Sequence, residues 1–388
     1  MAQQSSTIVV SRGRFGSPAG RVLEQVRGRG LATRDELAGP TCLSARTVAR
    51  TVASLLEGGL LRERPDRARA GSIGRPGTPV EIDPTLYVTV GVHVGTRLLT
   101  VAVGDPAGRV VDSRTTDKLP ADPLDLDWVG SRLVEMLRTL PGRRPLVAGM
   151  VAPWRDIGLD QHATGAALRE ALGLEVTTSE HIAAVAAAEY IHRRHGTAGI
   201  TTYLYVRNTT GFAVARESGG EAEVSRAARL THFPTRADVP CSCGRTGCLE
   251  ASTSDHAVAV RAHAAGLVDE PVVEALYEAA GAGVPAAREL LVERARLLGE
   301  TAALVRDMID PDRMILVGQA FTDFPGVLDE VVAAFAGTTT LPPLDLSFTR
   351  FGAGIQALAA CTVALAPVYD DPFAVLPTPF RPAHSHAL

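Results

Sequence analysis

Apolar residues in the first sixty positions recur at helical spacing, and capping and stop signals break them into three runs. Val22, Leu23 and Val26 share one face of a helix that Ser17-Pro18 can start. Thr33-Arg34-Asp35-Glu36 carries the T-x-x-E pattern, in which hydroxyl and carboxylate satisfy each other's orphan amides; it predicts a second, short helix ending near Gly39-Pro40. Ser44 caps a third, whose Val48, Val52, Leu55 and Leu56 fall at i, i+4, i+7 and i+8 before Gly58-Gly59 stop it. Two short strands, 60–63 and 79–82, flank an Arg/Gly-rich loop over 64–77. Three helices and a β-hairpin in this order form a winged helix-turn-helix.

From Tyr87 the pattern becomes strand-dense. Segments 87–95 and 98–104 alternate as in a hairpin, and 109–114 adds a third strand. Residues 124–140, 163–172 and the Ala-rich 181–195 read as helices, and 145–150 as a buried strand. A second group follows: strands 201–206 and 211–215, a Cys-bearing loop, helices through Ile309, strand 313–317 and a terminal helix. The expected fold class is therefore α/β, two lobes behind a winged helix. The expected division is a flexible terminus over 1–16, the winged helix over 17–83, and a first lobe over 84–196 completed by a C-terminal helix at about 350–366. A second lobe with the Cys loop over 197–349 and a Pro-containing tail over 367–388 complete it. The stretch 351–368 is the most membrane-like, but it is rich in Ala and Gly and contains Gln356 and Thr362, so a buried helix explains it better than a span.

Composition adds a division of charge. The 388 residues are 46% apolar and 21% charged with net charge −4, which excludes a disordered or disulfide-scaffold chain. Residues 1–83 hold 13 Arg against 8 acidic residues, net +5, so the remainder is net −9. A basic head on an acidic body points to a nucleic-acid-binding module joined to something else. The start, MAQQSSTIVV, has no charged region followed by a sustained apolar stretch, so no signal peptide is expected and the protein is placed in the cytoplasm.

The strongest chemical signal is Cys241-Ser-Cys243-Gly-Arg-Thr-Gly-Cys248-Leu-Glu250, with His232 nine residues before the first Cys. Three thiolates and one imidazole complete a tetrahedral zinc shell, and Gly244 and Gly247 let the loop turn tightly enough for the sulfurs to converge. Four protein ligands leave no open position for water, so the zinc is expected to be structural.

This loop, the N-terminal winged helix and a wing carrying Gly74-Arg75-Pro76 together resemble the ROK family (repressors, open reading frames, kinases), and within it the Mlc/NagC-like regulator branch. The resemblance implies a two-lobed actin/hexokinase-like (ribonuclease H-like) fold whose kinase members bind ATP and a sugar between the lobes. It also implies where kinase chemistry would sit, and those places are altered. The family's Asp-x-Gly-x-Thr phosphate loop reads His93-Val94-Gly95-Thr96. The second phosphate loop reads Arg207-Asn208-Thr209-Thr210-Gly211 with one glycine left, and the adenosine-side Gly-Gly reads Gly318-Gln319. The catalytic Asn-Asp aligns with Glu180-His181. No catalytic residue is therefore expected, and the protein is read as a non-enzyme. In the sugar pocket Glu250 and His232 remain, while the family's Glu three residues before that His is Arg229. Arg229 either turns the pocket toward an anionic metabolite or pairs with a nearby acid in a pocket that binds nothing. Glu180, His181, Arg229, His232 and Glu250 are the ligand-site candidates.

In a helix-turn-helix the start of the recognition helix meets base edges, here Ser44, Ala45, Arg46, Thr47 and Arg50. Thr33 and Arg34 begin the preceding helix, and Arg67, Arg69, Gly74 and Arg75 lie on the wing, within reach of backbone or minor groove. The expected partners are a double-stranded operator, a second copy in a homodimer or a larger tetramer, and a small-molecule effector; no membrane partner is expected. Two other readings stand beside a ROK-type regulator: an ATP-dependent carbohydrate kinase with an appended DNA-binding domain, and a DNA-binding regulator without ligand.

Overall fold

The computed structural model describes residues 8–11, 17–68, 77–118, 124–193, 199–218, 221–344 and 346–377. The chain divides into two compact units, one of 1–194, 217–223 and 356–388, the other of 195–216 and 224–355.

The first unit begins with a strand, β1 (Ile8–Ser11), inside the stretch read from sequence as a flexible terminus over 1–16. It takes the edge beside β11 (Glu221–Val224), a partner more than two hundred residues away. Three helices follow. α1 (Pro18–Arg29) is capped by the Ser17 hydroxyl, which accepts from the Gly20 amide at 3.1 Å. α2 (Arg34–Thr41) carries the complete Thr33/Glu36 capping box and runs through Pro40 to Thr41, slightly past the expected stop. α3 (Ala45–Glu57) is capped by Ser44. β2 (Leu61–Glu63) and β3 (Val80–Ile82) form an antiparallel pair. Next come β4 (Tyr87–Val94), β5 (Leu98–Gly104), β6 (Val110–Asp117), α4 (Leu126–Arg138), β7 (Arg144–Ala152), α5 (Gln161–Leu172), β8 (Val176–Glu180) and α6 (His181–His192). Their sheet has the order β6-β5-β4-β7-β8, with β4, β7 and β8 parallel and the first three strands a meander.

The second unit is built on β9 (Gly199–Val206), most of β10 (Thr210–Ser218) and the two-residue β12 (Ala228–Arg229), which pairs with β10. α7 (Leu249–Thr253), α8 (Asp255–Ala264), α9 (Val273–Gly281), the long α10 (Pro285–Ile309), β13 (Arg313–Val317), α11 (Leu328–Thr338) and β14 (Leu346–Phe348) complete it. β13 lies parallel between β9 and β14. Leu204, Val206, Met314 and Leu316 from the strands pack with Leu291, Leu298 and Ala302 of α10 and Phe335 of α11.

The chain then returns to the first unit in α12 (Ile355–Asp370) and the single turn α13 (Pro372–Val375). Here the structure departs from the expected tail over 367–388: Pro367 lies inside α12, and the described chain stays helical or packed to Leu376, which is buried. α12 lies directly on the sheet, because a Cβ at Gly91 or Gly149 would sit within 3 Å of its backbone. Among the described residues one helix, Gly352–Asp370, is long and apolar enough to cross a membrane, and 67% of that stretch is buried in the protein. The three N-terminal helices do not form a core of their own. Val22, Leu23, Val26, Val48, Val52 and Leu55 share one apolar cluster with Tyr87, Leu146 and Val147 of the sheet and Ala364, Val368 and Leu376 of the C-terminal segment.

Candidate DNA-reading head and metal-ligand cluster

The periodicity that buries Val48, Thr51, Val52 and Leu55 leaves the opposite side of α3 exposed, with Ala45, Arg46, Ala49, Arg50 and Ala53 on it. Ser44 and Thr47 are engaged locally: the Thr47 amide donates to the Ser44 hydroxyl at 3.1 Å, and the two hydroxyls lie 2.9 Å apart. Thr33 is similarly occupied by Glu36, whose carboxylate accepts from its amide at 2.8 Å. Arg34 reaches Glu63 of the hairpin at 3.0 Å. Two further arginines, not singled out from sequence, stand on the β2–β3 hairpin and its first turn and are neutralised there, Arg62 on Glu81 and Arg64 on Asp66 and Glu81. Burial raises the Glu81 carboxyl, and the hydrogen bonds from Arg64 and Arg62 outweigh it and hold the group below its ordinary range. Arg67 is exposed at the end of a short 3-10 turn, 3.5 Å from Asp66. Arg69, Gly74 and Arg75 lie outside the described residues.

In the second unit, His232, Cys241, Cys243 and Cys248 converge, with all four donor atoms within 4.8 Å of one another. Cys241 Sγ lies 3.6 Å from His232 Nδ1, and Cys243 Sγ lies 3.6 Å from Cys248 Sγ. A tetrahedron with zinc–sulfur bonds of about 2.3 Å has edges of about 3.5–3.8 Å, so these two pairs stand at the spacing of a zinc shell. Reciprocal backbone bonds pull the loop shut: the Cys241 amide donates to Arg245 O at 2.8 Å, Gly247 N to Val239 O at 2.9 Å, and Thr235 N to Gly247 O at 2.7 Å. Gly247 has φ +71°, and a Cβ there would stand 2.7 Å from Ala237 O and Thr235 O, so no other residue fits. Hydrogen bonds from the Arg245 amide and then its guanidinium bring the Cys243 thiol down to about 6, while burial, then its fellow thiols, push Cys248 up to about 11.

The remaining candidates separate by unit. Glu180 and His181 sit at the start of α6 in the first. The Glu180 carboxylate accepts from the Ile182 and Ala183 amides at 2.9 and 3.2 Å, serving as the helix cap, and burial raises its pKa against those bonds. His181 Nδ1 lies 2.8 Å from His93 Nε2, with both rings buried, so the two histidines touch each other. In the second unit, Glu250 accepts from the Thr210 amide and the Thr231 hydroxyl, both at 3.1 Å, and burial raises its pKa against these bonds and the charges of Arg229 and His232.

A network missed in the sequence lies beside this loop. Arg294, buried on α10, pairs with Asp255 and donates to Thr253 O at 2.8 Å and to the Tyr277 hydroxyl at 3.0 Å; Arg207 reaches the same Asp255 at 3.7 Å. Its members come from four segments, and no local motif announces it.

Fold and sites together define a two-unit α/β protein with a sugar-kinase-like sheet arrangement, a helical head and a Cys3His cluster. The chain belongs to the ROK family, which it matches over residues 148–341. It is 35% identical over 387 residues to a transcriptional regulator of Mycobacterium tuberculosis, covering 93% of this chain and 87% of the relative. It is 22% identical over 339 residues to the DNA-binding transcriptional dual regulator NagC of Escherichia coli, 80% of this chain and 82% of that protein. Among solved structures it resembles a ROK family transcriptional regulator homologous to the E. coli MLC protein, with TM-score 0.70, 20% identity, and 91% and 96% of the two chains covered. A ROK family glucokinase from Streptomyces griseus, in complex with glucose and AMPPNP, aligns at TM-score 0.58 and 20% identity over 71% of this chain and 99% of its own. At that identity the structural likenesses speak for the fold.

Proposed function

We propose that this protein is a ROK-type transcriptional regulator, acting as a repressor, whose winged helix-turn-helix reads a double-stranded operator and whose kinase-like body has no catalytic activity. The observation that carries the reading is the outer face of α3, where Arg46 and Arg50 stand exposed on a helix capped by Ser44 and preceded by a complete capping box. The relatives named as transcriptional regulators, matched over most of this chain, support it. One such head has a small footprint, so a homodimer on two half-sites about 34–36 Å apart is the expected assembly.

The loop that would cradle phosphate supports the loss of catalysis. The Thr210 amide is used by Glu250, the Arg207 amide by Thr209 O at 3.2 Å, and the Arg207 guanidinium is held by Asp255. The base position is taken by His181 packed on His93. Zinc held by His232, Cys241, Cys243 and Cys248 would cross-link the loop that precedes α7, fixing Glu250 one residue into that helix. Arg229 beside Glu250 suits an effector with both hydroxyls and an anionic group, and a phosphorylated sugar is the class to screen.

The test is genome-wide mapping of binding sites followed by titration of purified protein on the strongest site. Arg46→Ala with Arg50→Ala is expected to abolish specific binding while circular dichroism and metal content stay unchanged. Retained operator affinity in that double variant, or ATP turnover with any sugar in a coupled assay, would overturn the reading.

A further inference from the structure

The exposed side of α3 sorts into two rows at i, i+4 spacing, Arg46-Arg50 and Ala45-Ala49-Ala53, with exposed Glu57 closing the alanine row. The only other polar groups in the first turn, the Ser44 and Thr47 hydroxyls, are turned to each other. The face that would enter a groove thus offers two cations, three methyl groups and no amide or carboxylate in its first three turns.

These two cations differ from most of the arginines around them, Arg29 at the end of α1 excepted. Arg27 pairs with Glu24, Arg34 with Glu63, Arg62 with Glu81 and Arg64 with Asp66. Among the described residues Arg46 and Arg50 have neither an ion-pair nor a hydrogen-bond partner, although like charges four apart on a helix repel. Alanine beside them leaves nothing to hold the helix axis away from the groove floor, so the guanidinium forks reach base edges. Glu57 keeps the far end of the helix away from phosphate, which favours entry by the N-terminal half.

The chemistry then selects bases. An arginine fork matches O6 and N7 of guanine, adenine is matched by Asn or Gln and the cytosine amino group by a carboxylate, neither of which is here, and an alanine methyl suits the thymine methyl. Four residues of helix rise span about 6 Å, and base pairs stack every ~3.4 Å, so the two forks meet bases about two steps apart. We propose that each α3 reads a half-site containing two G·C pairs separated by one pair, one read by Arg46 and the other by Arg50, with thymine methyls against Ala45 and Ala49. This rests on the regulator reading above and adds to it the sequence class of the operator.

Selection of duplexes from a randomised library by the full-length protein tests it, run in parallel with Arg46→Ala and Arg50→Ala. The wild-type pool is expected to share two G·C pairs two steps apart. Each variant should lose preference at one of them, keep the other, and bind the wild-type site about 5- to 150-fold more weakly. Salt titration supplies a readout that mere charge loss would move differently. If each substitution only lowers the salt slope by about one and leaves the base preferences unchanged, the arginines hold phosphates and the proposal fails while the regulator reading survives. A selected motif without the guanine pair has the same meaning. Enrichment of no duplex at all overturns the regulator reading itself.

Discussion

Gly20 lies in the first turn of α1, where exchange for alanine stabilises a helix by up to about 1 kcal/mol. Packing predicts the opposite sign. A Cβ at Gly20 would stand 2.1 Å from Tyr369 O and 2.8 Å from Asp370 O, backbone atoms that no rotamer change can move aside. Relief requires parting α1 from the end of α12 by about 1 Å, the difference between that approach and an ordinary contact. The joint there consists of the Ser17 amide donating to Asp370 O at 3.0 Å and the Arg27 guanidinium 4.8 Å above the Tyr369 ring. One hydrogen bond at about 1 kcal/mol and a cation–π contact at about 1 kcal/mol give a loss of about 2 kcal/mol, so Gly20→Ala should destabilise by about 1 kcal/mol after the helix gain. Gly28→Ala is the matched control: same helix, with nothing within 4 Å of its Cβ, and an expected gain of about 0.5–1 kcal/mol. Urea unfolding of the full-length protein should order the midpoints Gly28→Ala, wild type, Gly20→Ala. A Gly20→Ala midpoint at or above wild type would refute the packing argument.

Two further outcomes are expected. Metal analysis should find about one zinc per chain, and Gly247→Ala, which must drive a methyl into two carbonyl oxygens at a positive φ, should lose most of it; full zinc content in that variant would show that the loop closes without the glycine. Burial, then the Arg27 charge, lowers the His192 pKa from 6.5 to about 4, so the fold holds this imidazole neutral while the unfolded chain takes up a proton first. Stability from this group is therefore complete above pH 6.5 and lost as pH falls toward 4. The full gap corresponds to about 3 kcal/mol, reduced to ~1–2 because the ring is partly exposed. His192→Gln should flatten the stability curve in that window, and identical curves for the two proteins would sink the assignment.

Much of the head was legible because its signals are local. Ser17, Thr33 and Ser44 each cap the helix their spacing predicts, and the zinc-type cluster follows from four residues within seventeen positions. What was not legible depends on partners remote in sequence. Thr7-Ile8-Val9-Val10 has the β-branched character of a strand, but its partner begins at Glu221, and nothing nearby announces it. Pro367 signalled the end of a helix, yet α12 continues to Asp370, where it packs against α1. The His93–His181 contact joins residues 88 positions apart, and periodicity shows only that each ends or begins an element. Arg34 was a fair candidate for phosphate contact from its place at a helix start; only the hairpin's return past it reveals Glu63 as its partner.

The shared cluster that joins Val22, Val48 and Leu55 to Val368 and Leu376 also sets an order of events during synthesis. The helices that carry Arg46 and Arg50 leave the ribosome first, but their apolar undersides have no complete partner until the last described helix has been made. A chain halted before α12 would emerge with this surface uncovered and α3 without part of its packing. Chains truncated before α12 are thereby expected to present to chaperones and proteases an apolar surface that the full-length protein covers.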